Sequence, residues 1–272
     1  MSNIILNFSS SGTYQFRINT GLSHRIQHSE EEFSRVLREV EARSMPIYKA
    51  IVDSILAHAR GDLLSCLFHT RRIGEGLRPV LSAYYDRVHD KTIARDAWLS
   101  RVQGFYAWGM GVEDARTGKW IKFDGLSGNQ VMLFQAVDAF LGLEVYLSEE
   151  TRHGNVPRLQ REFCDAVARA SFRGLLGGEG VEGKIRGEMG EIVKRMRVST
   201  SRLLPERVQG TRLTDSWQVF RSAHRSRAKE YLLVPAPERL PMTAGKSLLK
   251  ANMEQSMEFL DAFMIGRLQQ TV

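Results

Sequence analysis

The sequence predicts an all-α fold built as a single domain. The chain has 272 residues, of which 43% are hydrophobic and 25% charged, which is enough apolar material for one sizeable core. Apolar residues recur at intervals of three and four along most of the chain, which is the period of a helix. We therefore expect a helical domain over residues 21–272, preceded by an N-terminal arm at residues 1–20.

The individual elements follow from this periodicity. Helical stripes recur in residues 31–40, 47–59, 63–73, 77–88, 97–108, 131–147, 159–173, 214–233 and 247–268. In the arm, residues 4–8 and 13–16 flank a run of serines and a glycine, a pattern that predicts a short strand pair. Seven glycines fall between Gly174 and Gly190. Because glycine weakens helices, residues 174–190 are predicted to form a mobile loop.

Composition indicates the cellular setting. Cys66 and Cys164 lie in separate apolar segments, which is typical of buried thiols in a reducing compartment rather than of a disulfide framework. No apolar run approaches membrane-spanning length, and no charged segment followed by an apolar stretch marks a secretory signal. We therefore expect a cytoplasmic protein without membrane contact.

The formal net charge is +7 and comes mainly from arginines. A basic balance can indicate a nucleic-acid-binding face. Here the cations are scattered along amphipathic helices, and no recognisable nucleic-acid-binding motif accompanies them. We therefore expect no nucleic-acid partner, and we expect some arginines to pair with carboxylates of a ligand.

One histidine occupies an unusual position. Trp217, Phe220, His224, Ala228 and Tyr231 are spaced by three or four residues, so a helix places the imidazole in an apolar stripe. Two interpretations fit this pattern. The residue is either a core histidine bonded to a carbonyl or the axial ligand of a buried haem iron, which requires a neutral imidazole in an apolar wall.

Three motifs occur in the same chain order as in one known superfamily. Residues 26–40, Ile-Gln-His-Ser-Glu-Glu-Glu-Phe onward, resemble the helix that carries the distal-side histidine in tryptophan dioxygenases. Residues 127–142 read Ser-Gly-x-Gln and then Phe-Gln-x-x-Asp-x-x-Leu-Gly, and residues 224–235 read His-x5-Glu-Tyr-Leu-Leu-Val-Pro. These motifs are similar to the haem-contacting turn and the proximal helix of the indoleamine and tryptophan 2,3-dioxygenase superfamily of histidine-ligated haem-dependent aromatic oxygenases.

This resemblance implies a helical bundle that encloses a b-type haem. His224 would be the proximal iron ligand, Ser127 and Gly128 would lie in the backbone turn against the porphyrin, and His28 would act on the distal side. No Cys-x-x-Cys-His motif for covalent attachment occurs, so exchangeable heme b is the expected cofactor.

Other histidines compete for the distal role. His24 lies one helical turn before His28 and would share its face. His69 and His89 are further candidates, although His69 also suits a helix cap and His89 suits a pair with Tyr85.

The resemblance also implies substrate contacts. Arg101 lies close to the family's carboxylate-binding arginine, and a carboxylate buried beside haem needs such a partner, although a solvated helix face also explains this residue. Thr243 and Gly245 keep two positions of the family's Gly-Thr-Gly-Gly loop, which closes over the substrate, whereas the other two positions differ. Trp98, with Phe105 and Trp108, would line an aromatic pocket or fill the core.

The changed loop and the short N-terminal region are more similar to the superfamily's secondary-metabolism branch. The resemblance therefore implies a monooxygenase that hydroxylates tyrosine, tryptophan or a derivative, with dioxygen or hydrogen peroxide as oxidant. Ring opening of tryptophan is the alternative reaction.

Two alternatives come from other classes of protein. One is a non-catalytic haem protein with His28 and His224 as axial ligands, and the other is a helical interaction module without cofactor. Assembly into a homo-oligomer, with residues 4–16 crossing to a neighbour, is also compatible with the family.

Overall fold

Helices make up most of the structure, as the sequence predicts. The computed structural model describes residues 3–103, 111–113, 115–118, 120–122, 131–145, 147, 149, 152–153 and 156–196. Helices α1 to α5 are Asn3–Leu6, His24–Arg43, Met45–Ala59, Leu63–Arg87 and Arg95–Ala97, and a π-helix follows at Trp98–Gln103. Helices α6 to α8 are Met132–Phe140, Arg158–Arg169 and Gly180–Met196, with a 3₁₀ turn at Arg173–Leu175. The prediction of an all-α fold is confirmed for the described residues.

The centre of the fold is the antiparallel pair α3 and α4. Gly61 turns the chain between them with a φ of +73°, a conformation that glycine adopts without strain. Asp62 caps α4, because its carboxylate accepts a hydrogen bond from the Ser65 amide at 3.0 Å. The sequence suggested two stripes in this region, but α4 runs through Pro79 as one helix.

The main core forms where α2, α6 and α8 pack around this pair. Its fully buried side chains include Ile47, Ile51, Ile73, Leu77, Leu133 and Phe140. Helix α7 covers α6 and buries Cys164, and α4 contributes Cys66, which is also buried and has no disulfide partner. The prediction of two buried free thiols is confirmed. No described helix has the length and apolar character needed to cross a membrane.

The prediction of a mobile loop at 174–190 is wrong for its second half. Helix α8 begins at Gly180 and contains Gly183, Gly187 and Gly190. Burial of its apolar stripe, Ile185, Met189, Ile192, Val193 and Met196, against the core outweighs the entropic cost of these glycines. Gly183 is also required by close packing, since a Cβ there would lie 2.5 Å from the Gly178 carbonyl oxygen.

The predicted strand pair in the arm is wrong in its first half. Residues Asn3–Leu6 form a helical turn, because three successive apolar residues do not provide the alternation that a strand needs. A single antiparallel bridge joins Phe8 to Tyr14 across the serine-rich turn. Both rings are buried, and the arm packs on α2 of its own chain.

A short β-hairpin was not predicted from the sequence. Strands β1, Gly111–Glu113, and β2, Trp120–Lys122, pair antiparallel with Val112 opposite Ile121. Strands of this length carry too few residues to show an alternating pattern.

Candidate functional site

The structure describes two of the residues that the sequence assigned to a site. These are His28 on α2 and Arg101 in the π-helix. Ser127, Gly128, His224, Thr243 and Gly245 lie outside the described residues, as do the helices predicted at 214–233 and 247–268.

His28 lies on the outward face of α2 and is exposed. Its ring stacks on that of His24, with centroids 5.8 Å apart and planes 9° from parallel. The prediction that His24 and His28 share a face is therefore confirmed. Within the described part of the chain, no hydrogen bond reaches the His28 ring nitrogens, so the imidazole is accessible to a ligand on this face.

The carboxylate of Glu30 anchors the N-terminal arm to α2, two residues beyond His28. Glu30 is only 2% exposed. Its Oε1 accepts hydrogen bonds from the Tyr14 hydroxyl at 2.8 Å and the Ile18 amide at 2.7 Å, and its Oε2 accepts from the amide and side chain of Asn19 at 2.8 and 2.7 Å. Burial raises the pKa of Tyr14, so its phenol stays protonated and donates. These four bonds offset the cost of burying the carboxylate.

Asn19 also links this anchor to Arg101. Its side-chain nitrogen donates to the Arg101 carbonyl oxygen at 3.1 Å, and the same amide group donates to Glu30. Arg101 is half-buried in the π-helix, a distorted helical geometry that often occurs at functional sites. Among the described residues, no carboxylate lies within ion-pair distance of its guanidinium. This cation can therefore pair with a ligand.

A small aromatic cluster lies between α2 and the segment that leads into the π-helix. Phe33 and Trp98 meet edge to face, with centroids 5.8 Å apart. They pack against a second apolar cluster that contains Val36, Val88 and Ile93. Trp98 therefore fills a core, which is one of the two roles the sequence allowed. His28 lies about 140° around the helix from Phe33, so both residues belong to the N-terminal half of α2 but lie on different faces.

The segment before the π-helix is held on the N-terminal half of α2. The Ala94 amide donates to the Ser29 hydroxyl at 3.1 Å, and Arg25 pairs with Asp96 at 2.8 Å. His89 lies in the turn that starts this segment, where its ring is 3.1 Å from the Thr92 hydroxyl. The ring of His69 instead faces Asp53 between α3 and α4, at 3.8 Å. Both histidines have polar partners nearby, whereas His28 has no hydrogen-bond or ion-pair partner among the described residues.

Glu41, on the C-terminal half of α2, is a residue that sequence reasoning missed. It is 2% exposed, and its Oε2 accepts from the Tyr48 hydroxyl and the Met132 amide, each at 3.1 Å. Burial raises the pKa of Glu41 to about 7. Met132 is the first residue of α6, the helix that directly follows the Ser127–Gly128 segment. The available signal was its position four residues after Leu37, inside the apolar stripe of α2.

Cys164 lies in the same buried region as Glu41. Burial raises the pKa of its thiol to about 12, which keeps it neutral and unreactive. Within the described ranges, no group of three or more His, Cys, Asp and Glu side chains is arranged to hold a metal ion.

Comparisons with known proteins identify no family. No protein-family model matches this chain, and no curated protein matches it.

Proposed function

We propose that this chain is a haem-dependent oxygenase that inserts oxygen into an aromatic amino acid. The substrate class is tyrosine, tryptophan or a close derivative, and the proposed reaction is monooxygenation. The observation that carries the proposal is the exposed imidazole of His28, which has no hydrogen-bond partner among the described residues. It lies on the helix whose sequence resembles the distal helix of the dioxygenase superfamily.

The residues present are chemically compatible with this cofactor. A b-type haem needs one imidazole ligand, and His224 in its apolar stripe is the proposed donor. Ser127 and Gly128 are small enough for a backbone turn to lie against a porphyrin. When bound, the haem would supply the activation of dioxygen or peroxide.

The protein's own groups would bind the substrate and handle protons. His28, exposed on α2, would accept or donate a proton at its ring nitrogen. Arg101 would pair with the α-carboxylate of the substrate, and this role is supported by the absence of an ion-pair partner for its guanidinium among the described residues. Thr243 and Gly245 would contribute to a loop that closes over the substrate.

The anchor at Glu30 supports the position of these groups. It holds Asn19 between α2 and the π-helix, so the backbone that carries Arg101 is tied to the helix turn beyond His28. Functional groups need such support to keep a fixed geometry.

The test is an optical titration of protein expressed with haem supplementation. Wild type, His224→Ala, His28→Ala and Arg101→Gln are compared, with His153→Ala as the control because His153 is an exposed histidine outside the proposed site. We expect a Soret band in wild type that disappears only in His224→Ala. Tyrosine or tryptophan should shift this band. In Arg101→Gln, the affinity for the amino acid that produces the shift should fall about tenfold or more.

The remaining outcomes separate the alternatives. A colourless wild type, or an unchanged band in His224→Ala, would overturn the oxygenase proposal or its iron ligand. A six-coordinate low-spin spectrum that changes in both His28→Ala and His224→Ala would favour a non-catalytic haem protein. The mass of the product distinguishes the two reactions, because hydroxylation adds one oxygen atom and ring opening adds two.

A further inference from the structure

A concave site lies where the C-terminal ends of α6 and α7 meet α8. Its volume is about 460 Å³. The lining residues are Leu141, Gly142, Ser171, Arg173, Gly174 and Arg186. We call it the two-arginine pocket. None of these residues belongs to the proposed oxygenase site.

The two arginines each use only part of their hydrogen-bonding capacity within the protein. Arg173 donates from Nη1 to the Leu141 carbonyl oxygen at 3.3 Å, and Arg186 donates to the Leu176 carbonyl oxygen. These bonds cap helix and turn ends, a structural role that arginine often has. A guanidinium carries five N–H donors, so each side chain retains several for a ligand.

Among the described residues, no carboxylate lies within ion-pair distance of either guanidinium of the pocket. Two acidic groups of α8 have other partners: Glu182, one helical turn before Arg186, accepts from the Gly177 amide at 2.6 Å, and Glu188 pairs with Arg71 at 2.8 Å. Two unpaired cations in one concavity produce a positive potential that attracts anions.

This arrangement differs from that of the arginines around α2. Arg35 pairs with Glu31 at 2.7 Å, and Arg87 pairs with Glu32 and Glu39 at 2.9 and 2.8 Å. The arginines that pack around α2 therefore have carboxylates beside them, whereas no described carboxylate lies within ion-pair distance of the arginines in the two-arginine pocket.

The backbone of the pocket leaves room for a ligand. Gly142 has a φ of +68°, and a Cβ there would lie 3.1 Å from the Ser171 hydroxyl. That hydroxyl donates to the Phe140 carbonyl at 3.0 Å, so its oxygen can still accept a bond. A Cβ at Gly174 would meet no atom within 4 Å, so the space beside this residue is open.

The geometry points to a binding site for a small phosphorylated molecule in the two-arginine pocket. A phosphate monoester carries close to two negative charges near neutral pH and matches two guanidiniums, each of which forms paired N–H···O bonds with phosphate oxygens. The volume exceeds that of a phosphate ion and lies within the range of small-molecule pockets. The organic part of the ester would lie beside Gly174 and Leu141.

Isothermal titration with inorganic phosphate and with phenyl phosphate, at constant ionic strength, tests this site. We expect both probes to bind, with phenyl phosphate tighter. Arg173→Gln and Arg186→Gln should each weaken binding about tenfold, because each removes charge-assisted hydrogen bonds. Lys184→Gln makes the same change in charge on the same helix outside the pocket, and it should alter affinity by less than about twofold.

A third variant keeps the test independent of the caps that the arginines provide. Gly174→Leu leaves both guanidiniums in place and fills the open space, so it should weaken phenyl phosphate more than inorganic phosphate. The proposal would be overturned if wild type showed no saturable binding, or if the arginine variants bound phosphate as tightly as Lys184→Gln. The haem spectrum of the same variants should be unchanged, which separates a failure here from a failure of the oxygenase proposal.

Discussion

The two buried carboxylates of α2 differ in the number of hydrogen-bond donors that surround them. Glu30 and Glu41 are both 2% exposed. Glu30 accepts four hydrogen bonds shared between its two oxygens, whereas both of the Glu41 bonds reach the same oxygen. Burial raises the pKa of Glu41 to about 7. The first carboxylate is an anchor, and the second can exchange a proton near neutral pH.

Removing the anchor should have the largest effect. Glu30→Ala leaves four donors without their acceptor, so we expect a loss of about 3–5 kcal/mol in the free energy of unfolding. Urea denaturation measures this loss, and limited proteolysis should show cleavage in residues 7–19. Glu31→Ala is the matched control, because Glu31 forms only partly exposed ion pairs and should cost less than about 1 kcal/mol. Equal losses in the two variants would contradict the anchoring role.

The next prediction concerns the pH dependence of stability. An unfolded glutamate titrates near about 4.3, whereas folded Glu41 has a pKa of about 7. Between these values the folded state holds a proton that the unfolded state has released. Stability should therefore fall as the pH rises through this window, by roughly 2–4 kcal/mol from this group, and level off above it.

Glu41→Gln isolates that contribution. The amide stays neutral and keeps an acceptor oxygen for Tyr48 and Met132, so the variant should lose this slope and be roughly 2–3 kcal/mol more stable than wild type at pH 8. Urea unfolding at pH 5, 6, 7 and 8 measures the difference. Glu39→Gln, on the same helix but in a partly exposed ion pair, should keep the slope. A slope that survives in Glu41→Gln would mean that another group causes it.

Asn19→Ala should have an intermediate effect. It removes one of the four bonds to Glu30 and the link to the Arg101 carbonyl, so we expect a cost of about 1–2 kcal/mol. Hydrogen exchange should become faster in residues 98–103. Asn7→Ala serves as the control, since the Asn7 side chain bonds Phe16 and Tyr14 within the arm but has no bond to Glu30 or to the Arg101 carbonyl among the described residues. Unchanged exchange in the π-helix would show that Asn19 does not hold it.

Tyr48→Phe should have the smallest effect on stability and sharpens the comparison. It removes one of the two donors to Glu41, at a cost of about 1 kcal/mol. Because the Tyr48 hydrogen bond lowers the pKa of Glu41, its loss should move the upper end of the pH window upward. Tyr14→Phe leaves Glu30 with three donors and should not move that window. The pH at the midpoint of the change in unfolding free energy distinguishes the two variants.

Periodicity was sufficient to predict the helices that pack through a continuous stripe. Residues 31–40 and 47–59 fall inside α2 and α3, because both helices bury a regular set of positions against α4. Glycine content, by contrast, was misleading at α8, where it indicated a loop. The burial of Ile185 and Met189 depends on packing partners far away in sequence, and no local pattern reveals them.

The site was predictable only in part, and for similar reasons. The shared face of His24 and His28 follows from helical geometry, and so it was predicted. Glu41 was missed because the sequence does not reveal whether hydrogen-bond donors surround a glutamate in an apolar stripe. The link from Glu30 through Asn19 to Arg101 joins three segments distant in sequence, so only the fold reveals it. Ser127, Gly128, His224, Thr243 and Gly245 remain predictions.

The Glu30 anchor also has a consequence for the order of events during synthesis. Tyr14, Ile18 and Asn19 leave the ribosome before the carboxylate that they bind, and α2 completes the contact only when it emerges and forms. The arm therefore cannot pack in its final position until α2 has been synthesised and has folded. A nascent chain stalled before Glu30 would expose Phe8 and Tyr14 together, and this short interval is when the arm is most open to chaperones or to pairing with another copy.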